Sequence, residues 1–121
     1  MDLLVLELNH VALHVNDLDT SIEFYKNKLN FPTIARPDFD FRGAWFALGN
    51  QQLHLIEGHK VPADSHSRGN HFAVRVKSIK EAEKFLANQA VYYNGPKRRP
   101  DGAFQIFVVD PDGYHIEFCE L

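Results

Sequence analysis

Hydrophobic and polar positions alternate along several short stretches of the chain, and this period-two pattern predicts β-strands. In the first half the expected strands cover residues 8–15, 33–36, 42–48 and 51–57. Between the first two strands, apolar residues at helical spacing follow Asp17, which can cap a helix. The predicted order is therefore one strand, one helix and three strands.

The second half of the chain repeats this order. An alternating strand at 71–76 precedes Ser78 and Glu81, which form a capping box for an amphipathic helix. Further strands are expected near 91–93 and at 104–110 and 114–120, and Asp-Pro-Asp-Gly predicts the turn between the last two. Residues 58–69, rich in Gly, Pro, Ser and Asp, predict a surface linker. The sequence thus predicts two copies of one module, about 7–57 and 70–120, within a single domain of residues 1–121.

Two histidines of the first strand, His10 and His14, lie on the same side of a segment that otherwise looks buried. A buried imidazole without a hydrogen-bond partner or a metal carries a desolvation penalty. Aligning the modules pairs His10 with His71, 61 positions later, and His54 with Glu117, 63 positions later. Because the offsets are nearly equal, side chains of metal-ligating types occupy equivalent places in both modules. A pseudo-twofold axis would bring such strands around one shared concave surface.

The composition narrows the partners of the protein. With 121 residues, 45% of them hydrophobic, the chain can form one domain with a core. A net charge of -3 with both signs scattered offers no broad basic field, so neither nucleic acid nor a membrane is expected as a partner. The lone cysteine, Cys119, cannot form an internal disulfide, and no signal peptide or long apolar run is recognisable. We therefore expect a cytoplasmic location.

Four segments carry a resemblance to the vicinal oxygen chelate superfamily: NHVALHVNDLDTSIEFYKNKLNF, QLHLIE, HFAVRV and DPDGYHIEF. They run in register from about residue 7 to the C-terminus. This superfamily includes glyoxalase I, extradiol dioxygenases and bleomycin resistance proteins. The resemblance implies an α+β fold in which two βαβββ modules form a curved, cup-like mixed sheet around a divalent metal. It also implies a homodimer, in which a partner covers exposed strand edges.

The resemblance places the metal ligands at His10, His54, His71 and Glu117. Three imidazoles and a carboxylate suit Zn, Ni, Mn, Co or Fe(II). Glyoxalase I usually has a glutamate at the position of His54, so the chain is more similar to glyoxalase-like members with a histidine there. A hydrogen-bonded core histidine is the alternative for each site taken alone. Four such residues on the polar phase of apolar strands favour a metal.

The first functional hypothesis is a metal-dependent lyase or isomerase acting on a small substrate with vicinal oxygens. It would use Lewis-acid stabilisation of an enediolate, with Glu117 and His54 as the candidate catalytic groups. One alternative is an extradiol-type Fe(II) dioxygenase that uses His10, His71 and Glu117. The other is a drug- or metabolite-binding protein of the bleomycin-resistance type, without turnover.

Three further side chains are candidates for substrate binding. His14 and Arg75 are counterparts in the two modules and are expected to line the cup, although pairing with neighbouring carboxylates is the alternative. Trp45 and Phe46 point to opposite faces of one strand, and the sequence does not distinguish which of them faces the cup. If Trp45 does, it would contact an apolar part of the substrate. The basic run at 96–102 predicts a loop that is either a solvated face or a cationic rim.

Overall fold

The computed structural model describes residues 3–58 and 62–121 and shows an α+β fold. Residues 59–61 of the predicted linker lie outside the described residues. The first half contains β1 (His10–Val15), α1 (Leu18–Ile22), a π-helical segment (Glu23–Lys28), β2 (Thr33–Ile34), β3 (Gly43–Leu48) and β4 (Gln51–Glu57). The second half contains β5 (Phe72–Arg75), α2 (Ile79–Asn88), β6 (Asn94–Arg98), β7 (Phe104–Val109) and β8 (His115–Glu120).

Each half forms a four-stranded mixed sheet. The strand orders are β1-β4-β3-β2 and β5-β8-β7-β6. In both sheets the first strand runs parallel to the last one, and the remaining neighbours are antiparallel. The two sheets therefore repeat one βαβββ pattern, which confirms the predicted fold class. Among the described residues, no helix is long and apolar enough to cross a membrane.

A side-chain cap begins the first helix, and a residue with a left-handed backbone conformation follows its end. Asp17 caps it, because its side chain accepts a hydrogen bond of 3.2 Å from the backbone nitrogen of Thr20. The helix then widens into the π-helical segment, and the nitrogen of Leu29 donates to the carbonyl of Phe24 at 2.9 Å. Asn30 follows with φ +59°, a left-handed conformation that commonly ends helices.

The core lies on one face of each sheet, and side chains of both sheets join one hydrophobic cluster. Alternation along β4 shows how this arises, since Leu53 and Leu55 are fully buried whereas His54 points to the opposite face. We call the face opposite the core the open face. In the first sheet it carries His54 and its cross-strand neighbour Trp45, and in the second sheet it carries Glu117. The candidate ligands His54 and Glu117 thus lie on the open faces, away from the core.

The predicted strand at 91–93 is wrong, and β6 lies at Asn94–Arg98 instead. Val91 is buried, but its backbone nitrogen donates to the carbonyl of Leu86 at 2.9 Å and closes the end of α2. The strand that pairs with β7 is the more polar segment after it, in which Lys97 lies opposite Gln105. Part of the basic run at 96–102 consequently belongs to a strand rather than to a loop.

A buried hydrogen bond joins the two modules. The hydroxyl of Tyr25 donates to Oδ2 of Asp110 at 2.6 Å. Desolvation by burial raises the pKa of Tyr25 well above its ordinary value, and the neighbouring charge of Asp110 adds to this rise. Burial also raises the pKa of Asp110. The phenol therefore remains a donor to a carboxylate that water reaches poorly.

Replacing Tyr25 with phenylalanine should lower the free energy of unfolding by about 1–3 kcal/mol, because a buried carboxylate then loses a donor. Urea denaturation measures the change. The matched control is Tyr93→Phe, whose hydroxyl donates to Glu83 at 2.9 Å at a half-buried place. We expect the control to change stability by no more than about 0.5 kcal/mol. Equal losses in both variants would contradict the importance of the Tyr25–Asp110 bond.

Candidate metal centre

Two of the predicted ligands, His10 and His54, come together on the open face of the first sheet. Strands β1 and β4 are parallel neighbours, and the two imidazole rings stack with centroids 4.1 Å apart. On its other side His54 stacks on Trp45, with centroids 3.9 Å apart and planes only 2° from parallel. Because β4 lies between β1 and β3, the His54 ring is held between His10 and Trp45.

The hydrogen bonds of these rings leave one nitrogen on each for a ligand. Nδ1 of His10 faces Oδ1 of Asn9 at 2.8 Å, and Nε2 of His54 faces Oε1 of Gln52 at 2.8 Å. Since an amide oxygen only accepts, the facing nitrogen must carry the proton and the other nitrogen keeps its lone pair. Burial lowers the pKa of His54, and the electrostatic effects of neighbouring His10 and Arg36 lower it further. A neutral imidazole is the form that binds metals.

The other two predicted ligands, His71 and Glu117, meet on the open face of the second sheet. Nδ1 of His71 lies 3.0 Å from the carbonyl oxygen of Gly69, and Nε2 lies 3.2 Å from Oε1 of Glu117. Both facing oxygens are acceptors, but a neutral imidazole carries only one proton. The second contact therefore calls for a cation, either a second proton on the ring or a metal bound by the free nitrogen.

The spacing of this pair fits a metal. Two atoms bound at about 2.1 Å to one ion lie about 3.0–3.5 Å apart, and the nitrogen and the oxygen here are 3.2 Å apart. The Glu117 side chain is only 6% exposed and that of His71 is 24% exposed. A buried carboxylate beside an imidazole nitrogen is thus a suitable half of a divalent metal site.

Arg99 contacts a predicted ligand, and the sequence pattern did not reveal this contact. Its Nη1 donates to Oε2 of Glu117 at 3.1 Å, while Nε and Nη2 donate to Asp101. The hydrogen bonds from Arg99 lower the pKa of Asp101 to about 2, and those to Asp101 and Glu117 raise the pKa of Arg99. Arg99 therefore does not serve only as a solvated cation. It neutralises and orients the carboxylate at the candidate site.

The two ligand pairs do not meet within one chain. Over residues 3–58 and 62–121, no three side chains of His, Cys, Asp or Glu lie close enough to hold one metal ion. His10 and His54 belong to the first sheet, and His71 and Glu117 belong to the second. The described part of a single chain consequently presents two half-sites rather than one complete centre.

The candidate substrate-binding residues lie at separate places. Trp45, not Phe46, lies on the open face, since Phe46 is fully buried in the core. His14 is an exposed residue of β1, and its carbonyl oxygen accepts a hydrogen bond of 2.9 Å from the Tyr114 hydroxyl. Arg75 lines a cavity of about 1390 Å³ together with His71, β5 and α2. The Trp45 side chain contacts the predicted ligand His54 directly.

Comparison with known proteins agrees with this architecture. Residues 7–118 match the model of the Glyoxalase/Bleomycin resistance protein/Dioxygenase superfamily. A relative from Arabidopsis thaliana, Glyoxylase I 4, is 32% identical over 93% of this chain and 69% of its own length. The lactoylglutathione lyase of Neisseria meningitidis serogroup A is 31% identical over 95% of this chain and 91% of its own length. The crystal structure of a glyoxalase family protein from Bacillus anthracis superposes with a TM-score of 0.85 at 27% identity, covering 99% of this chain and 98% of the other.

Proposed function

We propose that this chain, which belongs to the Glyoxalase/Bleomycin resistance protein/Dioxygenase superfamily, is a metal-dependent lyase or isomerase for a small substrate with two adjacent oxygen atoms. One observation carries the proposal: the buried carboxylate of Glu117 lies 3.2 Å from Nε2 of His71. Two relatives named as a glyoxylase and a lactoylglutathione lyase support an enzyme of this kind.

The proposed ligands are His10, His54, His71 and Glu117, which suit Zn, Ni, Mn, Co or Fe(II). Because one chain presents these residues as two half-sites, we infer a homodimer that completes each centre. His10 and His54 of one copy would meet His71 and Glu117 of the other. In support, β1 and β5 are the edge strands of their sheets, and exposed edges are usually covered by a partner.

A divalent cation bound there would supply Lewis-acid polarisation of the two substrate oxygens. The protein would supply the proton transfer. Arg99 occupies Oε2 of Glu117, so Oε1 is the oxygen that would bind the cation and, once it swings off, would take a proton from the substrate carbon and return it to the neighbouring carbon. The charge of Arg99 also keeps this carboxylate oriented while it acts.

Substrate contacts are proposed for the residues that flank the ligands. Trp45 offers a flat apolar wall beside His54, at a centroid distance of 3.9 Å. His14 and Arg75 are exposed residues of β1 and β5, on the same faces as the ligands of their sheets. They would interact with polar parts of the substrate around the metal.

A dioxygenase is the second candidate, because Nε2 of His54 is engaged by Gln52 and its ring is packed between two others. Such a histidine could act beside an Fe(II) bound by the other three residues. The bond to Gln52 leaves the second nitrogen for a metal, however, and the module counterpart of His54 is Glu117. We therefore place His54 among the ligands.

The variant His54→Ala separates the two functions. For the lyase we expect weaker binding of Zn or Ni, measured by metal analysis of protein prepared without chelator. His14→Ala, which alters a histidine of β1 on the same face of the sheet, is the control and should keep its metal. If His54→Ala instead retains Fe(II) while opening of catechols slows by about 10²- to 10⁴-fold, the dioxygenase replaces the lyase.

A further inference from the structure

An arginine and three aromatic rings form a cluster at the connection between β2 and β3. The guanidinium carbon of Arg36 lies 4.8 Å from the ring centroid of Phe39 and 5.0 Å from that of Phe41. Phe39 in turn lies 6.2 Å from the ring of Trp45. Nη2 of Arg36 also donates a hydrogen bond of 2.9 Å to the carbonyl oxygen of Phe41, which fixes the guanidinium further. The cation is therefore held in one orientation by three neighbouring groups.

Gly43 shows which face of the sheet this cation occupies. Gly43 and Trp45 are two positions apart on β3, so both point to the open face. A Cβ atom at Gly43 would lie 2.9 Å from both Nε and Nη2 of Arg36, and it would also collide with the carbonyl of Leu55. Glycine thus leaves the space in which the guanidinium lies.

The charge of Arg36 has no partner of opposite sign among residues 3–58 and 62–121. By contrast, Arg42 pairs with Asp19 and Glu57, each at 3.2 Å. Arg99 likewise pairs with two carboxylates. Arg36 is also half-buried, so its charge is partly removed from water. A fixed, planar and unneutralised guanidinium is well suited to bind a carboxylate.

We propose that Arg36 is the anion-binding residue of the substrate site and that the substrate is a small carboxylate with a flat apolar group. The apolar group would lie on Trp45 and Phe39, and the carboxylate would bind the guanidinium beyond them. This assignment rests on the proposed function, because it takes the face that bears His54 as the substrate side. It adds a substrate class, namely aromatic or similarly flat organic anions.

Trp45 is the single tryptophan of the chain, so its fluorescence reports on this site directly. The test titrates the protein with benzoate and with benzamide, two probes of nearly equal shape that differ in charge. We expect the wild type to bind benzoate at least about ten-fold more tightly than benzamide, the scale of a charge-assisted hydrogen bond. In Arg36→Gln this preference should disappear through loss of benzoate affinity. Arg42→Gln removes an equal charge nearby and should retain the preference.

The proposal would be overturned if the wild type bound benzoate and benzamide equally, or bound no benzoate up to its solubility limit. It would also be overturned if Arg36→Gln kept the preference for benzoate. If Arg36→Gln lost affinity for benzoate and benzamide equally, Arg36 would only maintain the shape of the loop. A change of dimer size in that variant, measured by light scattering, would assign the cation to a carboxylate of a second copy.

Metal analysis of the same samples separates this proposal from the proposed function. Arg36→Gln should hold as much metal as the wild type, because Arg36 is not among the ligands. If the wild type bound no metal yet still preferred benzoate, the proposed lyase would be rejected and the proposed anion site would be retained. If the wild type bound metal but did not prefer benzoate, the anion site would be rejected and the lyase would be retained.

Discussion

Replacing His71 with alanine should remove most of the metal from protein purified without chelator. Nε2 of His71 lies 3.2 Å from Oε1 of Glu117, and the substitution removes one of the two donors in that half-site. Loss of residues that merely support a ligand costs about 10- to 100-fold in metal affinity. For a ligand itself we expect a loss of more than about 100-fold, measured by metal analysis and by competition with a chelator.

The matched control is His66→Ala. His66 is an exposed histidine nearby in sequence, and its Nε2 lies 3.6 Å from Asp64 rather than from a predicted ligand. The control should hold as much metal as the wild type. Stoichiometric metal in both His71→Ala and Glu117→Ala would show that the second half-site is assigned incorrectly, whatever the activity of those variants.

The parts of the fold that could be predicted are those that local pattern determines. On β4, alternation alone separates the buried Leu53 and Leu55 from His54 on the open face. Asp17 and Ser78 were recognisable as helix caps from their residue types and positions, and in the structure each accepts a hydrogen bond from a backbone nitrogen three positions later. The repeat of the module then follows from the order of such local signals.

The errors arise where backbone partners decide the outcome. The hydrophobic residues at 91–93 suggested a strand, but the backbone of Val91 is used to end α2. The paired strand contains Lys97 and Arg98, whose side chains carry no strand signal. Strand pairing with β7 therefore overrides the local pattern there.

The candidate site was only partly predictable for the same reason. The offsets between modules identified His10, His54, His71 and Glu117 as equivalent pairs, because equivalence is a property of the sequence. The contact of Arg99 with Glu117 depends on how a turn folds back onto β8, which no local pattern encodes. The open space at Gly43 that receives a guanidinium is likewise visible only in three dimensions.

Because the ligands are divided between two half-sites, we expect two variants that each bind no metal to restore metal binding when they are mixed. A variant lacking His10 and His54 should bind no metal, and neither should a variant lacking His71 and Glu117. In a mixed dimer of the two, however, the intact first sheet of one copy would meet the intact second sheet of the other. One of its two centres would then be complete, whereas the other would lack all four ligands.

Random mixing of equal amounts of these two double variants during refolding makes about half of the dimers mixed, so about a quarter of the wild-type metal should return. Light scattering establishes that dimers form, and metal analysis measures the recovery. The control mixes His10→Ala/His54→Ala with His10→Leu/His54→Leu, which lack the same ligand pair, and should recover nothing. A centre built within one chain would give no metal in either mixture, because each chain would lack half of its own ligands. Recovery in the first mixture alone therefore requires that ligands from two copies share one ion, and verified mixed dimers without metal would reject the shared centre.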